Sequence, residues 1–185
     1  ARLRDEIRRV QLEVGITTLF VTHDQEEALA IADRVGVMQS GHLEQLGPPT
    51  EIYSRPATPF VAEFVGLTNR IHGNVRGGTV EVRGARIPLV DPNVADGPAT
   101  ALVRPEAVSL TNNGDMGEGP LVGTVIAVAF LGAMSRVTVD LGDTIVLAQM
   151  ATSAASDTPA GTKVRLALRA DPVLIQRDEP ATTAP

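Results

Sequence analysis

The first part of the chain changes from helical to strand-like spacing of its apolar residues. Apolar residues recur three or four positions apart at Leu3, Ile7, Val10 and Val14. This spacing predicts an amphipathic helix, and Gly15 supplies a C-terminal stop for it. The next seven residues, 16–22 (ITTLFVT), are β-branched and mostly apolar. They predict a strand that is buried on both faces, as in a parallel sheet.

The pattern then predicts a helix, a hairpin and two short helices. Asp24 lies three residues before Glu27, which is the spacing of a capping box, so we expect a helix from there to about Asp33. Residues 35–47 form two β-like runs around Ser40-Gly41, which predicts a hairpin. The stretches PPTEIYSRP and TPFVAEFVG each predict a short helix. This order of elements is typical of the back end of an α/β domain.

After Gly66 the chain consists of short apolar stretches separated by turn residues. In SRVTVDLG the apolar Val137 and Val139 alternate with polar residues, and in KVRLAL so do Val164 and Leu166. Several short strands of this kind predict a small all-β barrel or sandwich. The predicted fold class is therefore α+β, in which an α/β remnant over residues 1–66 is followed by an all-β domain over residues 67–176. Residues 177–185 are predicted to be a disordered tail.

Composition excludes several classes of partner. The net charge is −6, and Phe130 is the only aromatic residue of the predicted β domain, so the chain offers neither a basic groove nor stacking platforms for nucleic acid. It has no cysteine, and its three histidines, His23, His42 and His72, lack the H-x-H or H-x-x-x-H spacing of a local metal-binding pair, so we expect no metal site. No apolar run approaches the ~20 residues of a spanning helix, so we expect no direct membrane insertion.

His23 stands where the predicted strand ends and the next helix begins. A histidine at such a boundary is commonly just a polar surface residue. The carboxyl end of a parallel strand is, however, where α/β proteins place their ligands, and an imidazole there can orient water near a phosphate. The residues alone leave both readings open.

Residues 16–66, which include THDQEEA and GHLEQLGPPTEIYSRP, resemble the end of the ATPase subunit of ABC-type importers, in the subfamily that serves sugars, sulfate, iron and spermidine. The resemblance implies that His23 is the switch histidine, the catalytic-site residue that contacts the γ-phosphate of ATP in the full-length protein. It also implies ATP and Mg²⁺ as cofactors of that protein, and permease membrane subunits and a second copy of itself as partners. The location it implies is cytoplasmic, peripheral on the inner face of the cell membrane.

The phosphate-binding motifs of that family are missing from the sequence. The motif G-x-x-x-x-G-K-[ST] needs a lysine, and the only lysine is Lys163, which follows Thr162. The family's signature loop and its magnesium-binding strand are absent as well. We therefore expect a fragment that binds no cofactor and hydrolyses no ATP alone. We also expect it to be poorly buried where the missing strands would pack.

The second half resembles the transport-associated OB-type (TOBE) regulatory domain of the same importers. VRPEAVSL, GTVIAVAFLG, SRVTVDLG and GTKVRLALRADPVLIQ carry the resemblance, through their order along the chain. It implies an OB-like small barrel that stabilises the ATPase dimer and, in some members, binds a regulator protein or an oxyanion. Arg104, Glu106 and Ser135 are candidate interface or ligand residues, although a surface ion pair beside Pro105 and a plain strand corner are the more common explanations of such residues.

Two main functions therefore remain in competition. The chain is either a fragment of an energy-coupling subunit with a regulatory and dimerisation role, or an oxyanion-binding module that acts through its second domain. The transported substrate cannot be read from these residues, because in this family other subunits select it.

Overall fold

A computed structural model describes residues 2–112 and 119–177. The chain divides into two compact units, the first up to Leu67 and the second from Thr68. We describe each unit by itself. The predicted C-terminal tail (residues 177–185) lies outside the described residues except for Arg177.

The first unit contains the helices and the hairpin that the pattern predicts. Its elements are α1 (Arg2–Val14), α2 (Gln25–Ile31), β1 (Val35–Gln39), β2 (His42–Gly47), α3 (Pro49–Ser54) and α4 (Pro59–Phe64). Gly15 ends α1 with a φ of 67°, a left-handed conformation in which a glycine carries no steric penalty. Strands β1 and β2 pair antiparallel around the Ser40-Gly41 turn. The predicted hairpin and both short helices are thus confirmed, and α2 ends two residues earlier than expected.

Residues 16–22 do not form the predicted buried strand. Among the described residues this stretch has no β partner, and the only sheet of the first unit is the two-stranded β1–β2 hairpin. Leu19 and Val21 are 91% and 87% exposed. A strand needs a neighbour to satisfy its backbone groups and to bury its side chains, and the described chain supplies none here. The α/β part of the fold prediction is therefore not confirmed.

A small core holds the rest of the first unit together. Val37, Ile52 and Val61 are fully buried in it. Arg8 on α1 pairs with Asp33 after α2, with Nη2 and Oδ1 2.5 Å apart. The core therefore joins the hairpin to α3 and α4, while a polar contact links α1 to the residues after α2.

The second unit is built from two five-stranded antiparallel sheets. The strands are β3 (Asn69–Arg76), β4 (Thr79–Val82), β5 (Ala85–Pro88), β6 (Gly97–Val103), β7 (Val108–Thr111), β8 (Val122–Phe130), β9 (Met134–Asp140), β10 (Ile145–Ala151), β11 (Lys163–Leu168) and β12 (Leu174–Arg177). One sheet has the order β12-β6-β3-β4-β5 and the other the order β10-β9-β8-β11-β7. A 3₁₀ turn (Pro105–Ala107) precedes β7, and the short helix α5 (Thr152–Ala155) follows β10.

Both sheets contribute to one hydrophobic core. Val137, Val139 and Val164 are fully buried, as their alternation with polar residues predicts. Val75 and Val82 enter the same cluster from the other sheet. The prediction that the second half is all-β is confirmed, apart from the 3₁₀ turn and α5.

Two sequence-distant contacts fasten the sheets to each other. The buried side-chain amide of Asn69 donates to the carbonyl of Leu147 (2.8 Å) and accepts from its N–H (2.7 Å). At the other contact, Arg83 in the β4–β5 turn forms an ion pair with Asp143 in the β9–β10 turn and donates to the carbonyl of Pro120. These polar contacts join elements whose apolar faces already share the core.

Candidate functional site

His23 lies at the tip of a closed, hydrogen-bonded turn. The Thr22 hydroxyl donates to Glu27 Oε2 (3.0 Å) and accepts the N–H of Asp24 (3.0 Å). Asp24 is the N-cap of α2, and its Oδ1 accepts the N–H of Glu27 at 3.1 Å. The capping-box prediction is confirmed in that Asp24 caps the helix, while Glu27 bonds the Thr22 side chain. His23 itself is exposed.

The hollow beside this turn is too small for a nucleotide. It has a volume of about 50 Å³ and is lined by His23, Gln25, Leu29 and residues of β1 and α4. Pockets for drug-sized ligands span roughly 300–1,000 Å³. Within residues 2–112 and 119–177 there is also no group of three or more acidic, histidine or cysteine side chains placed to hold a metal ion. Among its described residues, the first unit therefore presents His23 beside a hollow that is too small to hold a nucleotide.

Arg104 precedes the 3₁₀ turn between β6 and β7, and Glu106 lies within it. The turn is closed by the N–H of Ala107, which donates to the Arg104 carbonyl at 3.0 Å, and Arg169 N–H donates to the Ala107 carbonyl at 2.9 Å. Pro105 is buried, whereas Arg104 and Glu106 are half-buried and engaged in polar interactions. Both side chains reach the surface only in part, at a turn that is held from two sides.

Ser135 belongs to a small hydroxyl network at the β8–β9 corner. Thr152 Oγ1 lies 3.0 Å from Ser135 Oγ and donates to the Gly132 carbonyl at 2.6 Å. A hydroxyl has one proton, so when Thr152 gives its proton to Gly132, the Ser135 proton goes to Thr152. Ser135 is only 2% exposed. Its hydroxyl thus secures a strand corner, and its proton is already used.

The structure places the candidate residues in separate surroundings. His23 lies in the first unit, and the other three candidates lie in the second. The pairing of Asn69 with Leu147 and of Arg83 with Asp143 escaped sequence reasoning, because the partners are 78 and 60 residues apart. No local pattern marks either pair.

Two further polar features of the second unit affect its charge and its stability. The hydrogen bond from Arg83 lowers the pKa of the Asp143 carboxyl below its usual value, because it favours the charged form. On β9, the Nε of Arg136 is buried and has no hydrogen-bond partner among the described residues. An unsatisfied donor of this kind costs stability on the order of 1–3 kcal/mol.

Comparison with known families assigns the second unit. A family model described as the TOBE domain matches residues 101–175. This range covers the 3₁₀ turn and every strand from β7 to β11, together with the end of β6 and the first half of β12.

Curated relatives match a larger share of the chain. A spermidine/putrescine import ATP-binding protein of Mesorhizobium japonicum is 38% identical over 94% of this chain and 50% of its own length. A sulfate/thiosulfate import ATP-binding protein of Xanthomonas campestris is 48% identical over 56% of this chain and 30% of its own. A ferric-ion import ATP-binding protein of Escherichia coli O157:H7 is 39% identical over 75% and 39%. The chain thus spans about a third to a half of the relatives it matches.

Among solved structures, the cytoplasmic molybdate-binding protein ModG with molybdate bound matches 60% of this chain and 96% of its own. The identity is 18% and the TM-score 0.47, so this likeness carries no argument about ligand. The sequence relatives agree with one another in kind, since all three are import ATP-binding proteins. The chain is thus similar over most of its length to the ATP-binding subunits of ABC-type importers, and its residues 101–175 match the TOBE domain.

Proposed function

We propose that this chain is the C-terminal part of an importer's ATP-binding subunit, in which ATP hydrolysis by the whole protein drives solute uptake. The observation that carries the proposal is the uncovered apolar stretch 16–22 leading into the closed turn at His23. A segment of this composition is stable in water only when neighbouring strands cover it. Relatives about twice as long as this chain have additional residues to supply such strands.

The described residues do not by themselves fit ATP and Mg²⁺. The hollow at His23 is small, the described residues form no metal cluster, and the single lysine is Lys163 on β11 of the second unit. We therefore assign no catalytic step to this chain alone. Its contribution is one side chain, His23, held at the tip of a turn for a phosphate site that other residues of a longer protein complete.

The second unit serves, in this proposal, as the regulatory and pairing domain. The import relatives support permease subunits as partners, and a second copy of the chain is part of the same proposal. None of the described helices is long and apolar enough to cross a membrane. We accordingly propose a cytoplasmic protein that reaches the inner face of the membrane through a permease.

The oxyanion-binding alternative gains no support from the β8–β9 corner. Ser135 is buried, and its proton goes to Thr152 in the network that ends at the Gly132 carbonyl. An anion at this corner would have to break that network before Ser135 could donate to it.

The test compares this chain with the longer protein encoded by the same gene, before and after His23→Ala. We expect background ATP hydrolysis from the 185 residues alone. In the longer protein, His23→Ala should lower kcat by about 100-fold or more, because positioned electrostatic contacts supply most of phosphoryl-transfer catalysis.

His42→Ala is the matched control, because His42 is also exposed but lies at the start of β2 in the hairpin. It should leave kcat unchanged. Hydrolysis by the short chain in a clean preparation, or an equal loss of activity in both variants, would contradict the proposal.

A further inference from the structure

Strand β8 has an edge that its neighbour covers for only half its length. On one side β8 pairs with β9 out to Phe130. On the other side β11 pairs with it only over Val122–Thr124, and backbone bonds from Gly161 and Thr162 extend this contact to Val125. In the described part of the chain, no strand lies beside that edge from residue 126 to residue 130. Half of an otherwise internal strand is therefore an open edge.

The open half of β8 is apolar and uncharged. Ile126, Val128 and Phe130 are 47%, 40% and 73% exposed. Val128 pairs with Val137 and Phe130 with Ser135, so both share a face with residues that are buried. No charged residue occurs between Glu118 and Arg136. An exposed, uncharged edge of this kind is a template for pairing with another strand.

The outer strands of the two sheets are short or obstructed, which hinders pairing with a further strand. The β10 edge is occupied at Leu147 by the side chain of Asn69. The remaining outer strands are four residues long, and two of them carry charge or proline: β5 contains Arg86 and Pro88, and β12 ends in Arg177. Since these edges are blocked or short, the open half of β8 is the best-formed pairing surface of the second unit.

We propose that a second copy of this chain pairs antiparallel with β8 over residues 126–130, about a two-fold axis at Val128. Charge favours a second copy at this place, because two chains of net charge −6 repel each other and this segment carries no charge. An antiparallel strand pair is also self-complementary, as a two-fold contact must be. Val128 then faces its own counterpart, and Ala127 faces Ala129 of the second copy, while Ile126 lies in the bulge at the end of the paired segment.

This inference rests on the second-copy partner of the proposed function and names the surface. Five paired residues span about 17 Å, so the contact is small and the association concentration-dependent. The bulge between Val125 and Ala127 limits the paired segment at one end, and the turn at Gly132 limits it at the other.

The absence of cysteine permits a direct test on the full chain. In the proposed dimer of Val128→Cys, the thiols of the two copies would lie directly opposite each other on neighbouring strands. Cβ atoms in such a pair are about 4.5–5.5 Å apart, so a small shift allows a disulfide. Ile145→Cys is the control, since Ile145 is also apolar and exposed but pairs with Asp140 at the start of β10. Under mild oxidation we expect covalent dimer from Val128→Cys and little from Ile145→Cys.

A second pair of variants measures the association itself. Val128→Lys places two like charges opposite each other and should raise the dissociation constant about tenfold or more in sedimentation equilibrium. Ile145→Lys should leave the constant unchanged. Circular dichroism of both variants checks that the fold is kept.

The outcomes separate the surface from the partner. A dimer that survives Val128→Lys, or equal cross-linking at both cysteines, overturns β8 as the contact and leaves a second copy pairing elsewhere. Strictly monomeric chain with no cross-link overturns both pairing claims and leaves the ATPase assignment to its own test. If an apolar peptide protects Val128→Cys from modification while the chain stays monomeric, the edge accepts a different protein and the self-pairing claim fails.

Discussion

At the scale of single residues, two glycines let neighbouring strands approach closely. A Cβ on Gly123 would lie 2.4 Å from the carbonyl oxygen of Asp140, and one on Gly73 would lie 2.5 Å from that of Glu81. Both obstacles are backbone atoms within a paired sheet, so neither can move without disturbing the ladder. These positions require glycine for space, since neither has a positive φ.

We therefore expect Gly123→Ala to lower the free energy of unfolding of the second unit by about 1–3 kcal/mol, the usual cost of overpacking. Gly119→Ala is the matched control, because the nearest atom to its added Cβ lies 3.7 Å away. Urea denaturation followed by circular dichroism measures both. Equal stability of the two variants would show that the β8–β9 ladder yields more easily than its geometry indicates.

Some hydrogen-bonding side chains have structural roles that their residue type does not reveal. Asn69 occupies both backbone groups of Leu147, much as a neighbouring strand would. Ser135, which the sequence marks as a ligand candidate, instead bonds Thr152 at a strand corner. The identity of the partner decides each role, and the partner comes from another part of the fold.

At the scale of elements, the turns of one sheet are fastened to the other by charge. Arg83 is largely covered, lies in the β4–β5 turn and pairs with Asp143 in the β9–β10 turn. Its φ of 49° is unusual for a residue other than glycine, so the turn holds this backbone in a sparsely populated conformation. The ion pair accordingly links two hairpins that are distant in sequence.

This pair makes a pH-dependent contribution to stability with a defined sign. The pKa of Asp143 is lowered in the folded state by its hydrogen bond from Arg83, so the carboxylate binds its proton less readily folded than unfolded. The contribution is full above the unfolded pKa of about 3.9 and is lost as the pH falls through the lower folded value. Asp143→Asn should therefore destabilise the protein at pH 7 and converge with the unmodified chain in strong acid.

Urea titrations at several pH values measure this difference. Asp171→Asn is the control, because Asp171 pairs with Arg169 two residues away within one exposed segment. A destabilisation by Asp143→Asn that stays constant from neutral pH to pH 2 would mean that the carboxylate charge is not its cause.

At the scale of the whole molecule, the two units differ in how completely they bury their apolar residues. The second unit has one core shared by both sheets, while the first leaves Leu19, Val21 and neighbouring apolar side chains in water. Exposed apolar residues in a contiguous stretch indicate a surface that another chain segment covers. This contrast is the basis of our proposal that further chain covers the first unit.

Leu19→Asp tests that interpretation. In this chain Leu19 is almost fully exposed, so the change should alter the free energy of unfolding by less than about 0.5 kcal/mol and improve solubility. In the longer protein of our proposal, the same change would bury a charge and should prevent stable folding. Val61→Asp is the control that should unfold the first unit in both, since Val61 is fully buried. Tolerance of Leu19→Asp in the longer protein would mean that nothing covers this stretch.

The sequence alone determined those features that depend on local spacing and composition. Apolar periodicity predicted α1, the hairpin, α3, α4 and the β-rich second half, because each pattern reports the face that an element buries. The helix cap at Asp24 and the family resemblance could also be identified from the sequence, since both depend on short contiguous stretches. The absence of a lysine motif for phosphate needed no structure at all.

Only the tertiary structure decided what depends on distant neighbours. Residues 16–22 have the composition of a buried strand, yet they remain unpaired, because pairing requires strands that the described chain does not provide. The hydrogen bonds between Asn69 and Leu147, the ion pair of Arg83 and the open edge of β8 likewise depend on segments far apart in sequence. The local pattern indicates which side chains of a segment can be buried, and the rest of the fold determines whether a neighbouring element covers them.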